Sequence, residues 1–482
     1  MSRFIVIEPA SRLEGEAKIS IFLDENGNVK DAFFQVIELR GFEQFCIGRP
    51  VEEMPRITSR ICGVCSWAHH MASAKATDVI FGRDVTETAR RIRELSYNAH
   101  IIYSHTIHFY VMAAADFLLS PDIFPSRRNV IGLLKERPEI VKQAFKLRLN
   151  TKRIQEIVGG KATHPTAMIP GGVSKRISLE ERDEIAKLVR ENLELAEKGL
   201  ELFENEIYKK FKDEILAEEN ILRTYYVGLV DEHDCYNFYD GVIKVVDPNG
   251  KEYAKFKSHK YRDHIAEHVE SWCYSKFPYL KNIGWKGFID GAESGIYRVG
   301  PLARLNVTDD CFGEKANEHL KKMREELGNP VHHTLAFHWA RLIEILDASE
   351  RMLELLSDDT IIGGDILNTE GEYVGEGVGV VEAPRGLLIH HYIADENGLV
   401  KNANIIVATT CNMAAINLSV KNAAKRYIKE GKISDKVLNM VEIAFRAYDP
   451  CLACATHSLP GLMNISLTIY DSEGNVVKRL RK

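Results

Sequence analysis

The chain has 482 residues, 45% hydrophobic and 27% charged, with a net charge of −6, which places it among ordinary globular proteins and excludes a disordered or fibrous chain. That charge gives no basis for a nucleic-acid or anionic-membrane partner, and no run of about 18 apolar residues is present to span a bilayer. The start, Met1-Ser2-Arg3-Phe4-Ile5-Val6, has no apolar stretch of signal-peptide length, and nine cysteines make an odd number for a secreted disulfide framework, so reduced thiols and a cytoplasmic location are expected.

Length alone suggests about three domains, but no linker or low-complexity stretch marks a boundary, and one large domain is expected. Residues 1–60 read as an N-terminal hairpin region, 61–222 and 312–357 as a helical core, 223–311 as a peripheral insertion, 370–457 as a C-terminal strand region with a metal motif, and 458–482 as a removable tail. Apolar residues fall at every second position through Ala17, Ile19, Ile21 and Leu23, and a second strand-like stretch runs from Val29 to Val36. Between them Asp24-Glu25-Asn26-Gly27 predicts a hairpin whose Asn-Gly pair supplies the positive φ angles of a tight turn. Similar punctuation at Asp395-Glu396-Asn397-Gly398 and Asp471-Ser472-Glu473-Gly474 predicts two more hairpins.

Helical spacing predicts a helix from Thr86 to Leu119, about 50 Å long at ~1.5 Å per residue. Further helices are expected from Pro138 to Val158, Leu179 to Phe211, Glu314 to Leu327 and Val331 to Leu356. Ser178, three residues before Glu181, has the form of a capping box. Between Tyr225 and Pro301 the pattern is shorter, aromatic and turn-rich, as for small strands. The expected fold class is α+β, predominantly helical: a central bundle of long helices with small peripheral β-sheets and hairpins.

Two cysteine pairs stand near the ends, Arg60-Ile61-Cys62-Gly63-Val64-Cys65 and Asp449-Pro450-Cys451-Leu452-Ala453-Cys454-Ala455-Thr456-His457. A CxxC pair holds two thiolates close enough to share one soft metal, so two pairs make a four-sulfur site. Zinc-ribbon pairs lie roughly 15 to 20 residues apart, whereas 385 residues separate Cys65 from Cys451. One shared metal therefore requires the fold to bring its ends together. Zinc, an iron-sulfur cluster and a nickel or iron centre all suit four thiolates, and spacing alone leaves them open. His69 follows Cys65 by one helical turn and His457 follows Cys454 by three residues. Neither is needed to complete a four-thiolate shell, so hydrogen bonding to the ligands or a second metal is their expected work. The isolated Cys46, Cys235, Cys273, Cys311 and Cys411 are expected as small buried hydrophobes.

RICGVCSWAHH with DPCLACATH resembles the paired signatures of the nickel-iron hydrogenase large subunit. The resemblance extends over nearly the whole chain, through Arg12-Leu13-Glu14-Gly15-Glu16, Arg40-Gly41-Phe42-Glu43, Gly159-Gly160-Lys161-Ala162-Thr163-His164-Pro165, Gly171-Gly172, Glu382-Ala383-Pro384-Arg385-Gly386 and Thr409-Thr410-Cys411-Asn412. It implies that family's fold and the reversible cleavage of H2 to protons and electrons. Nickel would be held by Cys62, Cys65, Cys451 and Cys454, with Cys65 and Cys454 bridging to an iron that carries carbon monoxide and cyanide. By the same resemblance Cys451 is the thiolate base, Glu14 the proton relay, Arg385 the residue over the open coordination site, and Thr409 a cofactor-binding residue. Glu43 and His457 match ligands of a magnesium or iron ion at the end of the proton route, completed by a backbone carbonyl of Ile405 or Ile406.

Ser104, before His105, stands where several family members have an aspartate, so Arg385 is expected to lack that acidic partner. Family precursors are commonly cut just after the motif histidine, here His457, whereas Ser458 to Lys482 follow it in this sequence. No cysteines in cluster spacing remain to carry electrons away, so an iron-sulfur small subunit is implied as partner, with the His164 segment facing its nearest cluster. Length and tail are most similar to the cytoplasmic F420-non-reducing hydrogenases of methanogens, which implies a further electron-transfer subunit and a heterodisulfide reductase complex. An F420-reducing or NAD(P)-linked relative is the close alternative. A complex-I-type homologue, which would lack the four cysteines, and a structural zinc protein are the rivals from other classes.

Overall fold

Helices with well-made starts form the centre of the molecule in the computed structural model, which describes residues 4–120, 123–456, 466–470 and 476–481. The Glu87–Thr106 helix begins where the Thr86 hydroxyl accepts a hydrogen bond from the Ala89 amide. The Leu179–Leu202 helix opens with the expected capping box, Ser178 accepting from the Glu181 amide while the Glu181 carboxylate accepts from the Ser178 amide. The Phe337–Ser357 helix is buried almost all round and packs against both of these, and the Pro138–Gly159 helix completes the bundle.

Two expected helices change form partway. At Ile107 the first passes into a π-helical segment, Ile107–Ala113, before Ala114–Leu118 finishes it. The second does the same at Phe203–Tyr208. A π turn shifts the face that side chains present, and such turns cluster at functional sites; the first one carries His108, whose ring stacks on His338 at 5.6 Å. The helix expected from Val331 starts only at Phe337 after a short 3-10 turn. His332 and His333 are spent on strand-like pairing with Leu222 and Ile221 instead.

The N-terminal hairpin is present, Ala17–Leu23 pairing antiparallel with Val29–Val36, and Phe4–Ile7 adds a third strand. Its turn differs from expectation. Only Gly27 takes positive φ, at 79°, and the Asp24 carboxylate organises the loop by accepting from the Asn26 and Asn28 amides. Asp395 and Gly398 repeat the arrangement between Gly386–Ala394 and Val400–Ile406. The third expected turn lies outside the described residues, although its flanks Ser466–Tyr470 and Val476–Arg481 pair antiparallel. The short strands expected after Tyr225 are there, with Tyr225–Val230, Val242–Val246, Glu252–Phe256 and Tyr297–Arg298 in one sheet.

One contact positions the site. The Ser66–Ile80 helix, which follows the first cysteine pair, lies directly on strand Glu376–Ala383. Glycines permit that approach: a Cβ on Gly379 would stand 2.0 Å from the Ala72 carbonyl oxygen, and one on Gly377 2.2 Å from that of Ala76. The largest core cluster contains all four motif cysteines, so the predominantly helical α+β fold does join the two ends of the chain.

Candidate metal centre

The first pair is placed by a helix start. Cys62 is extended, and Cys65 caps the Ser66–Ile80 helix. The Val64 and Cys65 amides point at Cys62 Sγ from 3.3 and 3.4 Å. Hydrogen bonds from the other three thiols hold Cys62 well below the usual thiol range, whereas burial pushes Cys65, Cys451 and Cys454 up.

Contacts with distant residues place the second pair. Asp449 takes positive φ, 55°, and leads into Cys451 and the short Leu452–Ala455 helix. The Cys451 amide donates to Thr409 Oγ1 at 3.0 Å and the Leu452 amide to the Glu14 carbonyl at 2.9 Å. Glu14 thus pairs with Cys451 as an isolated parallel bridge, N-terminal segment to C-terminal segment. Its side chain turns inward, where Oε2 accepts from the Ala453 amide at 3.0 Å and from the Cys451 thiol at 3.1 Å. Burial raises the Glu14 pKa, and the charge of Cys62 adds to the effect. Arg12 steadies this segment by an ion pair with Asp116, itself bound to Arg446.

The four sulfurs gather at one point, with all ligand atoms within 4.8 Å of one another; among the described residues no other group of three or more His, Cys, Asp or Glu does so. Cys454 Sγ lies 2.9 Å from both Cys65 and Cys451, and Cys451 lies 3.3 Å from Cys62. Four convergent thiols suit a soft metal ion and exclude a magnesium or calcium cage at this point. Cys65, Cys451 and Cys454 line a small cavity of ≈ 20 Å³ whose other walls are apolar, from Ala68, Ala383, Leu388 and Val407, with His69, Arg385 and Thr409 as polar groups.

Arg385 has no partner at position 104, as expected from Ser104, but an acid that the sequence reading did not identify takes that place. Arg385 Nε donates to the Asp449 carbonyl at 2.6 Å and its Nη2 to Asp449 Oδ1 at 2.8 Å, while Nη1 stays buried without a partner. The acid therefore comes from the second cysteine motif rather than from the histidine-bearing helix, where Ser104 Oγ is buried and unpartnered. Asp449 was legible as a motif letter and as the residue before Pro450, but nothing local tied it to position 385. His69 is placed for the expected hydrogen bonding to a ligand, and the sulfur it meets belongs to the opposite pair: its Nε2 lies 3.3 Å from Cys454 Sγ.

Glu43 and Ile405 are brought together, the Ile405 amide donating to Glu43 Oε1 at 2.8 Å. The adjacent Arg40 and Gly41 amides both donate to the Thr456 carbonyl at 3.1 Å. His457 lies outside the described residues. His164 sits close to the first pair, with positive φ, its amide donating to Ser66 Oγ and its Nδ1 2.9 Å from the Ser59 carbonyl. Cys46, Cys273, Cys311 and Cys411 are buried as expected, and Cys235 is partly exposed.

Comparison with known proteins agrees with this geometry. The family described as nickel-dependent hydrogenase matches residues 40–124 and 230–457, more than half of the chain, and a HoxL-like description matches 4–39. The chain is 48% identical to an F420-non-reducing hydrogenase iron-sulfur subunit of Archaeoglobus profundus, covering 99% of both chains. It is 38% identical to the NAD-reducing hydrogenase HoxS subunit beta of Cupriavidus necator, again over 99% of both. Among solved structures, an NAD+-reducing [NiFe]-hydrogenase in the H2-reduced state superposes with a TM-score of 0.90 at 37% identity, covering 94% of this chain and 99% of that one. Four converging thiols, the matched family and full-length relatives together show that the chain belongs to the nickel-dependent hydrogenases.

Proposed function

We propose that the chain is the catalytic large subunit of a nickel-iron hydrogenase, converting H2 reversibly to two protons and two electrons. The observation that carries this reading is the 3.1 Å contact between Glu14 and Cys451 inside a four-thiol site. H2 is a very weak acid, so its cleavage needs a base beside the metal and a carboxyl to take the proton onward, neither of which a structural zinc site would use. Nickel would be held by Cys62, Cys65, Cys451 and Cys454, and Cys65 and Cys454 would also hold an iron. Bound there, the two metals supply the electron acceptor against which H2 is polarised.

Every other step belongs to the chain. Cys451 Sγ takes the proton and passes it to Glu14 Oε2, whose raised pKa brings the carboxyl toward the range where it exchanges protons readily. Arg385, held by Asp449, keeps Nη1 available, and it would donate to a cyanide ligand if the iron carries cyanide and carbon monoxide. Thr409 fixes the Cys451 amide. Glu43, His457 and the carbonyl of Ile405 would hold Mg2+ or Fe2+ at the outer end of the proton route.

Electrons would leave through an iron-sulfur small subunit docked near Cys62, Cys65 and His164, in the cytoplasm; none of the described helices is long and apolar enough to cross a membrane. A further electron-transfer subunit and a heterodisulfide reductase complex belong to this reading. The NAD+-reducing structural relative favours NAD(P) as a second candidate acceptor, and F420 is a third. Metal analysis of the complex purified with its partners tests the proposal. Stoichiometric nickel with iron, and infrared bands of metal-bound carbon monoxide and cyanide, are expected; full occupancy by zinc alone would overturn it.

A further inference from the structure

A chain of buried side chains leads away from Cys454. His69 Nε2 lies 3.3 Å from Cys454 Sγ, and His69 Nδ1 lies 3.0 Å from His390 Nε2. His390 Nδ1 bonds the Tyr392 hydroxyl, which lies 3.1 Å from Ser73 Oγ. His69 and Ser73 share the Ser66–Ile80 helix, His390 and Tyr392 share strand Gly386–Ala394, and none of the four is more than 1% exposed.

All four ring nitrogens are used, and a neutral imidazole has one donor and one acceptor, so with neutral rings the chain runs in one of two directions. With Cys454 as a thiol, S–H donates to His69 Nε2, His69 Nδ1–H to His390 Nε2, His390 Nδ1–H to Tyr392, and Tyr392 to Ser73. A metal-bound thiolate has no proton to give, and an unprotonated Nε2 would face it lone pair to lone pair. The reverse direction satisfies every group: Ser73 donates to Tyr392, Tyr392 to His390 Nδ1, His390 Nε2–H to His69 Nδ1, and His69 Nε2–H to the sulfur. The proton count on these four side chains is the same in both directions, and only the thiol proton has left.

We infer that His390 and Tyr392 are positioning residues for the metal centre, fixing the tautomer of His69 that donates a hydrogen bond to the Cys454 thiolate. This inference rests on the nickel-iron reading. Donors to ligand sulfur stabilise the more negative, reduced state of a metal-sulfur centre and so raise its potential, and the partner of a ligand-facing histidine sets which nitrogen carries the proton. His390→Gln keeps an amide N–H for His69 and a carbonyl for Tyr392. His390→Leu keeps neither, and Tyr392→Phe removes the donor to His390.

The test uses the whole complex carrying each variant, with nickel and iron measured first and the midpoint potential of the nickel signal then read by electron paramagnetic resonance during a redox titration. Nickel missing from the unmodified complex would defeat the functional reading itself, separately from this inference. With metal in place, His390→Leu should shift the potential to more negative values, Tyr392→Phe should shift it the same way by less, and His390→Gln should leave it close to the unmodified protein. An unchanged potential in His390→Leu, or equal shifts for Leu and Gln, would overturn the assignment. Should His390→Leu take up no metal, Tyr392→Phe decides alone, and an unchanged potential there refutes it.

Discussion

The two cysteine pairs reach one point by opposite means. Cys62 and Cys65 run into a 15-residue helix seated on a sheet through Gly377 and Gly379, so their geometry comes from a platform that local sequence builds. Cys451 precedes and Cys454 sits on a four-residue helix, too short to be stable by itself, and both are held by Glu14, Thr409 and the Arg385–Asp449 pair. The first pair is a preformed wall and the second a clamp closed by distant residues. Changes that act chemically should therefore show most strongly on the clamp side.

Cys451→Ala should have the largest effect, removing a ligand and the proposed base together: nickel should be absent by elemental analysis and H2 oxidation lost. Oxidation at normal rate by a nickel-free variant would remove Cys451 from the mechanism. Glu14→Gln keeps the shape of the clamp but not the proton carrier, so turnover should fall by about 10²- to 10⁴-fold with nickel and iron retained; normal turnover would mean that protons leave by another path.

On the platform side the expected signal is in stability against pH. His70, on the Ser66–Ile80 helix, is buried neutral, with Nδ1 on the Pro55 carbonyl and Nε2 accepting from the Met168 amide, and burial lowers its pKa to about 4. The unfolded imidazole binds a proton below about 6.5 while the native one does not until about 4, so stability is lost as pH falls through this window, by about 2 kcal/mol at pH 5 from this group. Denaturant titrations should show a shallower slope for His70→Gln, and an unaltered slope would contradict the assignment. Thr409→Val should be mildest, costing about 1 kcal/mol by orphaning the Cys451 amide and lowering nickel occupancy without abolishing it. If it loses nickel as fully as Cys451→Ala, the clamp depends on Thr409 far more than its single bond suggests.

Much of this was legible in the chain itself. The hairpins were marked by Asp24 and Asp395 with their glycines, the capping box by Ser178 and Glu181, and the ligand set by two CxxC pairs. Less legible were features that depend on which surfaces meet. The π segment at Ile107–Ala113 has no period of its own and appears as helix in any apolar pattern. Ser104 left Arg385 without an acidic partner from its helix, and the partner at Asp449 went unread, because an ion pair between residues 64 positions apart leaves no local trace. His390 and Tyr392 read only as alternate residues of a buried strand.

The sequence by itself determined the chemistry offered: four thiols, a nearby glutamate and arginine, and family motifs in order along nearly the whole chain. These follow from residue type and short spacing, which a linear pattern preserves. Tertiary structure alone decided that the ends meet through the Glu14–Cys451 bridge, that Asp449 holds Arg385, and that His69 faces Cys454 with His390 behind it. The physical reason is range, since hydrogen-bond direction and desolvation depend on groups brought within a few ångströms by packing, whatever their separation along the chain.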